Sequence, residues 1–350
     1  MVRSIAMEGR MTDRVLVTGI SGFVGGHVAL ELLRQGFAVR GSVRDPGKAE
    51  KVRQALGRAG ADLGRLDFVT LDLTADSGWD AAMDGVRYLQ HTASPFVTTM
   101  PDDRMELIRP AVEGTRRAIA AALRAGVERI VLTSSVASIY YGHDKSRTAP
   151  FTAADWTQLG GPNVNAYSES KTRAEQEAWA LMEAAGRRND LASINPGSIF
   201  GPLLDDDPGT SVALVKRIFD GSLPAAARMA FVVVDVRDVA AAHVAAMLSP
   251  GAGGQRFPIG DCTMTLMEMA EVLKPALPGH AAKMPRFEVS DWLVRIVAAF
   301  DKEIAANVGE LGSRKKIDGS PAVALLGRPL ITADEALIAA ARSLVAQGLV

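Results

Sequence analysis

The amino-acid sequence predicts an α/β fold, a doubly wound parallel sheet with a smaller C-terminal lobe. Two observations carry that prediction. Strand-like apolar runs alternate with amphipathic segments through the first half of the chain, the pattern of parallel strands joined by crossover helices. The first run, residues 14–18, leads into Gly19-x-x-Gly22-x-x-Gly25 and then into an apolar helical stripe at 28–33. Glycines there let the backbone turn sharply and let a phosphate approach it. The following helix offers unpaired N–H groups and a partial positive charge. The spacing is not the common G-x-G-x-x-G, so the strand–turn–helix context carries the nucleotide-binding reading. Thr18, Gly19, Ser21, Gly22, Phe23, Val24 and Gly25 are its candidate contacts.

A second strand is expected at 37–44, ended by Asp45-Pro46-Gly47. In a Rossmann-type sheet the end of this strand meets the adenosine ribose. Arg44, with Lys48 and Lys51 nearby, suits the 2′-phosphate of NADPH, because a guanidinium binds phosphate bidentately. Asp45 is the competing candidate, placed to accept from the ribose of NADH. The basic cluster favours NADPH over NADH. A helix at 48–58 and a third strand at 66–71 follow, running into Asp72-Leu73. That carboxylate either accepts from an adenine amino group or caps the next helix. A fourth strand at 88–93 brings Thr92, Ala93 and Ser94 over the cofactor, with His91 as a packed strand residue. The long helix at 102–125 is expected to be interrupted near Pro110 and to close at Gly126. The fifth strand, 127–135, ends in Ser134 and Ser135, where such sheets bind ligands.

Tyr167 and Lys171 open the next helix, which is expected to run to about residue 185. Four residues apart, they share one helical face. A free phenol has a pKa near 10, and a neighbouring ammonium lowers it toward the range useful for proton transfer. The pair therefore reads as a tuned general acid. Beyond it, a helix at 211–220, a strand at 230–235 and a helix at 238–248 begin the lobe. Met229, Phe231, Met264, Phe287 and Trp292 are candidate pocket walls, each expected more as core than as contact.

Together the motifs Thr18-Gly19-x-x-Gly22-x-x-Gly25, Asp72-Leu73, Ser135, Tyr167-x-x-x-Lys171 and Asn195-Pro196-Gly197-Ser198-Ile199-Phe200-Gly201-Pro202 resemble an extended short-chain dehydrogenase/reductase. Val43-Arg44-Asp45-Pro46, Ala93-Ser94-Pro95 and residues 234–240 resemble the branch of dihydroflavonol, cinnamoyl-CoA and yeast-type ketone reductases. The resemblance implies an NADPH-dependent carbonyl reductase acting on an aldehyde or ketone. Tyr167 would protonate the oxygen, Ser135 would orient it, and Lys171 would hold the nicotinamide ribose and lower the Tyr167 pKa. Pro196, Gly197, Ser198 and Ile199 would pack the nicotinamide. Ser134 is the neighbouring alternative to Ser135, disfavoured by the family spacing. Tyr140 stands where plant dihydroflavonol reductases read flavonoid hydroxyls with Asn. Asn163-Val164-Asn165-Ala166 replaces the run that precedes the tyrosine in cinnamoyl-CoA reductases. Neither plant substrate is supported. The same serine, tyrosine and lysine could serve a nucleotide-sugar epimerase or dehydratase holding NAD, or persist in a nucleotide sensor that has lost catalysis.

The 350 residues suffice for one large α/β domain with a lobe. Residues 13–195 are expected to be mainly the dinucleotide-binding domain, and 196–350 mainly the substrate lobe with some segments returning. Residues 1–12 read as a flexible extension. Charge is balanced, 39 Lys and Arg against 40 Asp and Glu, which gives no electrostatic footprint for nucleic acid. No apolar run is long enough to span a bilayer. The single cysteine, Cys262, reads as a packing residue and suits a reducing compartment, so a cytoplasmic protein is expected. No metal-ligand cluster is evident. A monomer or homodimer is expected.

Overall fold

The computed structural model describes residues 13–95, 103–299 and 308–350. The expected N-terminal extension, 1–12, lies outside the described residues. The strands are β1 (Arg14–Thr18), β2 (Ala38–Val43), β3 (Leu66–Thr70), β4 (Val86–His91), β5 (Arg129–Thr133), β6 (Leu191–Pro196), β7 (Ser198–Phe200), β8 (Ala226–Ala227), β9 (Ala230–Asp235), β10 (Arg256–Ile259), β11 (Cys262–Thr265) and β12 (Glu288–Val289). The helices are α1 (Phe23–Arg34), α2 (Lys48–Arg58), α3 (Trp79–Met83), α4 (Met105–Arg124), α5 (Ala166–Ala184), α6 (Gly209–Phe219), α7 (Val236–Leu248), α8 (Leu266–Ala276), α9 (Asp291–Ala298), α10 (Ser320–Leu326) and α11 (Ala333–Ala346).

A seven-stranded sheet has the order β10-β6-β5-β4-β1-β2-β3, with every pairing parallel. Its central strands are buried on both faces, so β1 reads as a continuous β-branched and leucine run instead of an alternation. On one face α1 and α7 bring Val28, Leu32, Val239 and Ala242 against Val15, Val17 and Val131. On the other face α4 and α5 bring Ile119, Ala122, Trp179 and Met182 against Leu16, Leu89 and Ile130. The strand order reverses between β1 and β4, and a crevice opens there at the carboxyl edge. The lobe has its own core. Its sheet, β11-β9-β7, is covered by α6, α8 and α11 through Val215, Phe219, Met269, Leu273 and Leu337. The strand β10 and helix α7 lie in the second half of the chain but complete the main sheet and its face.

Three expectations need correction. Helix α4 runs unbroken through Pro110. The apolar face of Leu107, Ile108, Ala111 and Ala118 is buried on both sides of the proline, and that packing outweighs one missing hydrogen bond. Phe287 and Trp292 are 63% and 61% exposed and belong to no core. The Trp292 side chain lies on α9, whose residues are nowhere buried. Cys262 is exposed, not packed. Its thiol is nevertheless pushed up to about 11, by desolvation first and then by Asp261, so it stays protonated.

The glycine turn depends on a close approach. A Cβ at Gly25 would lie 2.2 Å from the Gly19 carbonyl oxygen, a backbone atom. Gly25→Ala should destabilise the protein by about 2 kcal/mol, the usual cost of overpacking. The check is the urea midpoint, which should fall with an unchanged denaturant slope.

Candidate active site

The crevice is built from the carboxyl ends of β1, β2, β4 and β5. Gly19 adopts φ +68, and a Cβ there would meet the Ala93 Cα at 2.9 Å, so the turn after β1 presses on the end of β4. Hydrogen bonds hold the two ends together. Thr92 Oγ1 donates to the Thr18 carbonyl at 2.6 Å, and Ala93 N donates to Thr18 Oγ1 at 3.2 Å. Ser42 on β2 receives the Gly19 N–H on its hydroxyl at 3.1 Å. Gly22 caps α1 with no side-chain bond to its first N–H groups. A cleft opens beside them, bounded by Ser21, Gly22 and Phe23 on one side and Leu204 and Asp205 on the other. An uncapped helix start, a glycine cradle and open space form a donor set that fits a pyrophosphate.

At the end of β2, Arg44 and Lys48 are exposed. Asp45 turns its carboxylate onto the Gly47 N–H at 2.9 Å. Asp72 accepts from the backbone and hydroxyl of Thr74, at 2.8 and 2.7 Å. Those bonds, and then the charge of Arg44, hold its carboxyl below the usual range. Lys51 pairs with Asp206 and, at 3.8 Å, with Asp205. It is thus engaged by the loop after Pro202, while Arg44 and Lys48 stand apart from that loop's carboxylates.

A second, small cavity lies where β4 and β5 end, lined by Leu73, Ala93, Ser94, Thr133, Ser134 and Lys171 among others. Ser134 and Ser135 follow β5 directly. The Ser134 hydroxyl is committed to the interior, donating to Glu175 at 2.6 Å. The Ser135 hydroxyl accepts from Ala137 N at 3.1 Å, which caps a short 3₁₀ turn, and hydrogen-bonds toward Tyr167. That distinguishes Ser135 from its neighbour. Asn165 caps α5 by accepting from Ser168 N at 2.8 Å, which places Tyr167 in the first turn and Lys171 one turn later. Pro196 closes β6, and Ser198 and Ile199 begin β7. Between them Gly197 leaves room for the Val232 carbonyl, which a Cβ would meet at 2.3 Å.

The electrostatics correct one expectation. Burial pushes the Tyr167 phenol up, and only the hydrogen bond to Ser135 opposes it. The phenol is raised rather than lowered, because the low-polarity surroundings disfavour its anion. The same desolvation brings Lys171 down to about 8, countered by Glu175.

Residues 15–260 match the NAD dependent epimerase/dehydratase family. The chain belongs to this family. Its members here are the extended short-chain dehydrogenase/reductases, and the protein is an NAD(P)-dependent oxidoreductase among them. It is 33% identical over 264 residues to tetraketide alpha-pyrone reductase 2 of Arabidopsis thaliana, covering 74% of this chain and 80% of that one. It is 30% identical over 318 residues to a ketoreductase of Aspergillus niger, covering 86% and 93%. The structure of Gre2 from Candida albicans in complex with NADPH superposes with a TM-score of 0.76 at 25% identity, over 96% of this chain and 99% of that one.

Sequence reasoning missed four residues in this extended reductase. Glu175 and Arg256 form a buried pair beneath the serines at 2.7 Å. Glu175 was legible in principle, since it continues the Tyr167–Lys171 face by one more turn. Tyr141 and Lys315 were not. The two tyrosine rings Tyr140 and Tyr141 lie 5.0 Å apart, and Lys315 Nζ sits 4.2 Å from the Tyr141 ring while pairing with Glu310. Among the described residues no cluster of His, Cys, Asp or Glu has metal-holding geometry, and no helix is long and apolar enough to cross a membrane.

The strand ends are braced by neutral histidines. His91 Nδ1 shares a hydrogen bond with Thr18 Oγ1 at 2.8 Å. His243 bridges Thr133 and Gln90 at 2.9 and 2.8 Å. His27 meets the Pro202 carbonyl at 2.9 Å. Burial lowers them to about 4, about 3 and about 4 respectively. Above pH 6.5 they are neutral folded or unfolded. Below it the unfolded chain takes up protons that the folded chain refuses, so stability falls as pH drops toward 4. Each imidazole should cost on the order of 3 kcal/mol over that window. Urea midpoints measured from pH 7.5 to 4 should decline steeply, and less steeply in His243→Asn.

Proposed function

We propose that the protein is an NADPH-dependent reductase of small aldehydes and ketones. The observation that supports the reading most is Tyr167 beside Ser135, with Lys171 one turn further along α5 and lining the cavity at the ends of β4 and β5. Identity to a ketoreductase over nearly the whole chain supports it, and so does the fold shared with an NADPH-bound reductase.

The glycine turn and the start of α1 would hold the pyrophosphate. Arg44 and Lys48 would hold the 2′-phosphate, with Lys51 tied to Asp205 and Asp206 behind them. Asp72 and Leu73 would border the adenine, and Thr92, Ala93, Ser94, Lys171 and residues 196–199 the nicotinamide end. When bound, NADPH supplies the hydride. Tyr167 supplies the proton, from its hydroxyl to the carbonyl oxygen. Its raised pKa keeps that proton in place at neutral pH, the state in which a donor must start. The Ser135 hydroxyl, which accepts from Ala137 N, would donate a second hydrogen bond to the same oxygen. Lys171, near 8, remains an ammonium at pH 7 and favours the phenolate left after transfer.

Tyr167→Phe keeps the ring and removes the proton. Its kcat with an aromatic aldehyde should fall by roughly 10²- to 10⁴-fold, with NADPH binding retained by fluorescence titration. Undiminished turnover would remove Tyr167 from the reaction. Arg44→Ala should raise the NADPH Kd by roughly ten- to a hundredfold and change that for NADH little, the value of one charge-assisted phosphate contact. An unchanged ratio of the two affinities would sink the assignment of Arg44.

A further inference from the structure

We propose that Glu175 is a positioning residue for the reducing centre: its buried carboxylate fixes the turn that presents Ser135 and is the anionic partner of Lys171. The inference rests on the assignment of Ser135, Tyr167 and Lys171 made above. Glu175 follows Lys171 on α5 as Lys171 follows Tyr167, so the three share one face. Glu175 and Lys171 line the same cavity.

The carboxylate is almost fully buried, and each oxygen is saturated. Oε1 accepts from Arg256 Nε at 2.7 Å, Ser193 Oγ at 2.8 Å and Trp179 Nε1 at 3.2 Å. Oε2 accepts from Ser134 Oγ and Ser138 Oγ, both at 2.6 Å, and from Asn195 Nδ2 at 2.8 Å. Two of these donors flank Ser135. The Ser138 hydroxyl also lies 2.7 Å from the Ser135 carbonyl oxygen, and Asn195 Nδ2 lies 3.4 Å from it. The Ser135 carbonyl therefore lies against two groups that also reach the Glu175 carboxylate, and the single Ser138 proton serves one of its two acceptors at a time.

Charge is the second half of the inference. The charged groups facing Glu175 are Arg256 from β10 and Lys171 from its own helix. Strand β6 and the turn after β5 present only the neutral Ser193, Asn195, Ser134 and Ser138 to it. Lys171 lies one turn from Glu175 and lines the same cavity; the carboxylate raises Lys171, and the Lys171 charge lowers His91 across on β4. That histidine is neutral above pH 6. A carboxylate one turn away is thus the counter-charge that keeps a desolvated ammonium charged. A purely space-filling role would need no ion here, since an apolar pair of similar volume avoids the desolvation cost.

The test is the titration of Lys171 in the protein without added ligands, read as the pH dependence of its acylation by trace acetic anhydride and quantified by peptide mass spectrometry. The midpoint should lie near 8 in the parent protein. Glu175→Gln should move it down by about one pH unit, and the basic limb of kcat for aldehyde reduction should move with it. Ser193→Ala removes one donor from the same carboxylate and leaves the charge, so its midpoint should stay in place. If Glu175→Gln does not fold, Glu175→Gln with Arg256→Gln removes both buried charges, and a smaller downward movement is expected, because the loss of the Arg256 cation offsets part of the loss of the carboxylate. An unmoved midpoint in the folded Glu175 variant, or an equal movement in Ser193→Ala, would overturn the proposal. Normal turnover by Tyr167→Phe would instead defeat the reductase reading and leave these midpoints as they are.

Discussion

The buried ion pair between Glu175 and Arg256 is the interaction on which the catalytic end of the crevice depends. Taking both charges out of water is costly, and their mutual attraction offsets the cost only when the remaining donors and acceptors are filled. Here they are. Burial alone would push the Glu175 carboxyl up, but Arg256 and the surrounding hydroxyls bring it down to about 2, so it is ionised throughout the working range. Arg256 spends its other donors on the carbonyls of Ala153 and Asp155, at 2.8 and 2.6 Å, and lies 3.7 Å from the Trp156 ring. One cation on β10 therefore fastens the loop before α5, the helix itself and the end of β5. That gives the late strand β10 a purpose beyond extending the sheet. It carries the charge that lets a carboxylate sit beneath the serines.

The opposite end of the crevice is arranged by shape more than by charge. Gly19, Gly25 and Ala93 approach too closely for side chains, and the resulting turn exposes the start of α1. The loop after Pro202 borders it, tied at one side by buried His27 and at the other by Lys51. The exposed lysine pair contributes little stability. Its consequence is positional: Lys51 offsets one of the two negative charges of Asp205 and Asp206 beside the site proposed to receive phosphates, and Arg44 is not drawn into that pairing.

The sequence made the sheet legible because parallel strands are continuous apolar runs and their crossovers are periodic. The expected helix at 48–58 and the strand at 230–235 have those bounds in the structure. The glycine turn, Ser135, Tyr167 and Lys171 were legible because they are short, spaced motifs. What was hidden is what only folding joins. Arg256 is 81 residues from Glu175, and Lys51 is 155 from Asp206. No local pattern links such pairs. Pro110 misled because a local rule met a helix buried along its length. Phe287 and Trp292 misled because hydrophobicity alone does not say which side of an element meets a core.

One environment acts on the two titrating groups of α5 in opposite directions. Desolvation disfavours the charged form of each, so it raises the Tyr167 phenol and lowers the Lys171 ammonium. The expectation that Lys171 tunes the tyrosine downward treats the pair as if it stood in water with only each other for company. In the folded protein burial comes first, Ser135 moderates the tyrosine, and Glu175 moderates the lysine. Each residue is thus corrected by a partner of its own: a hydroxyl from the end of β5 for the acid, a carboxylate one turn along for the base. Both partners belong to the network anchored by Arg256. Burial thus sets phenol and ammonium apart, the two partners limit how far, and each stays protonated at neutral pH, the charge state that the proposed proton donation to a carbonyl requires.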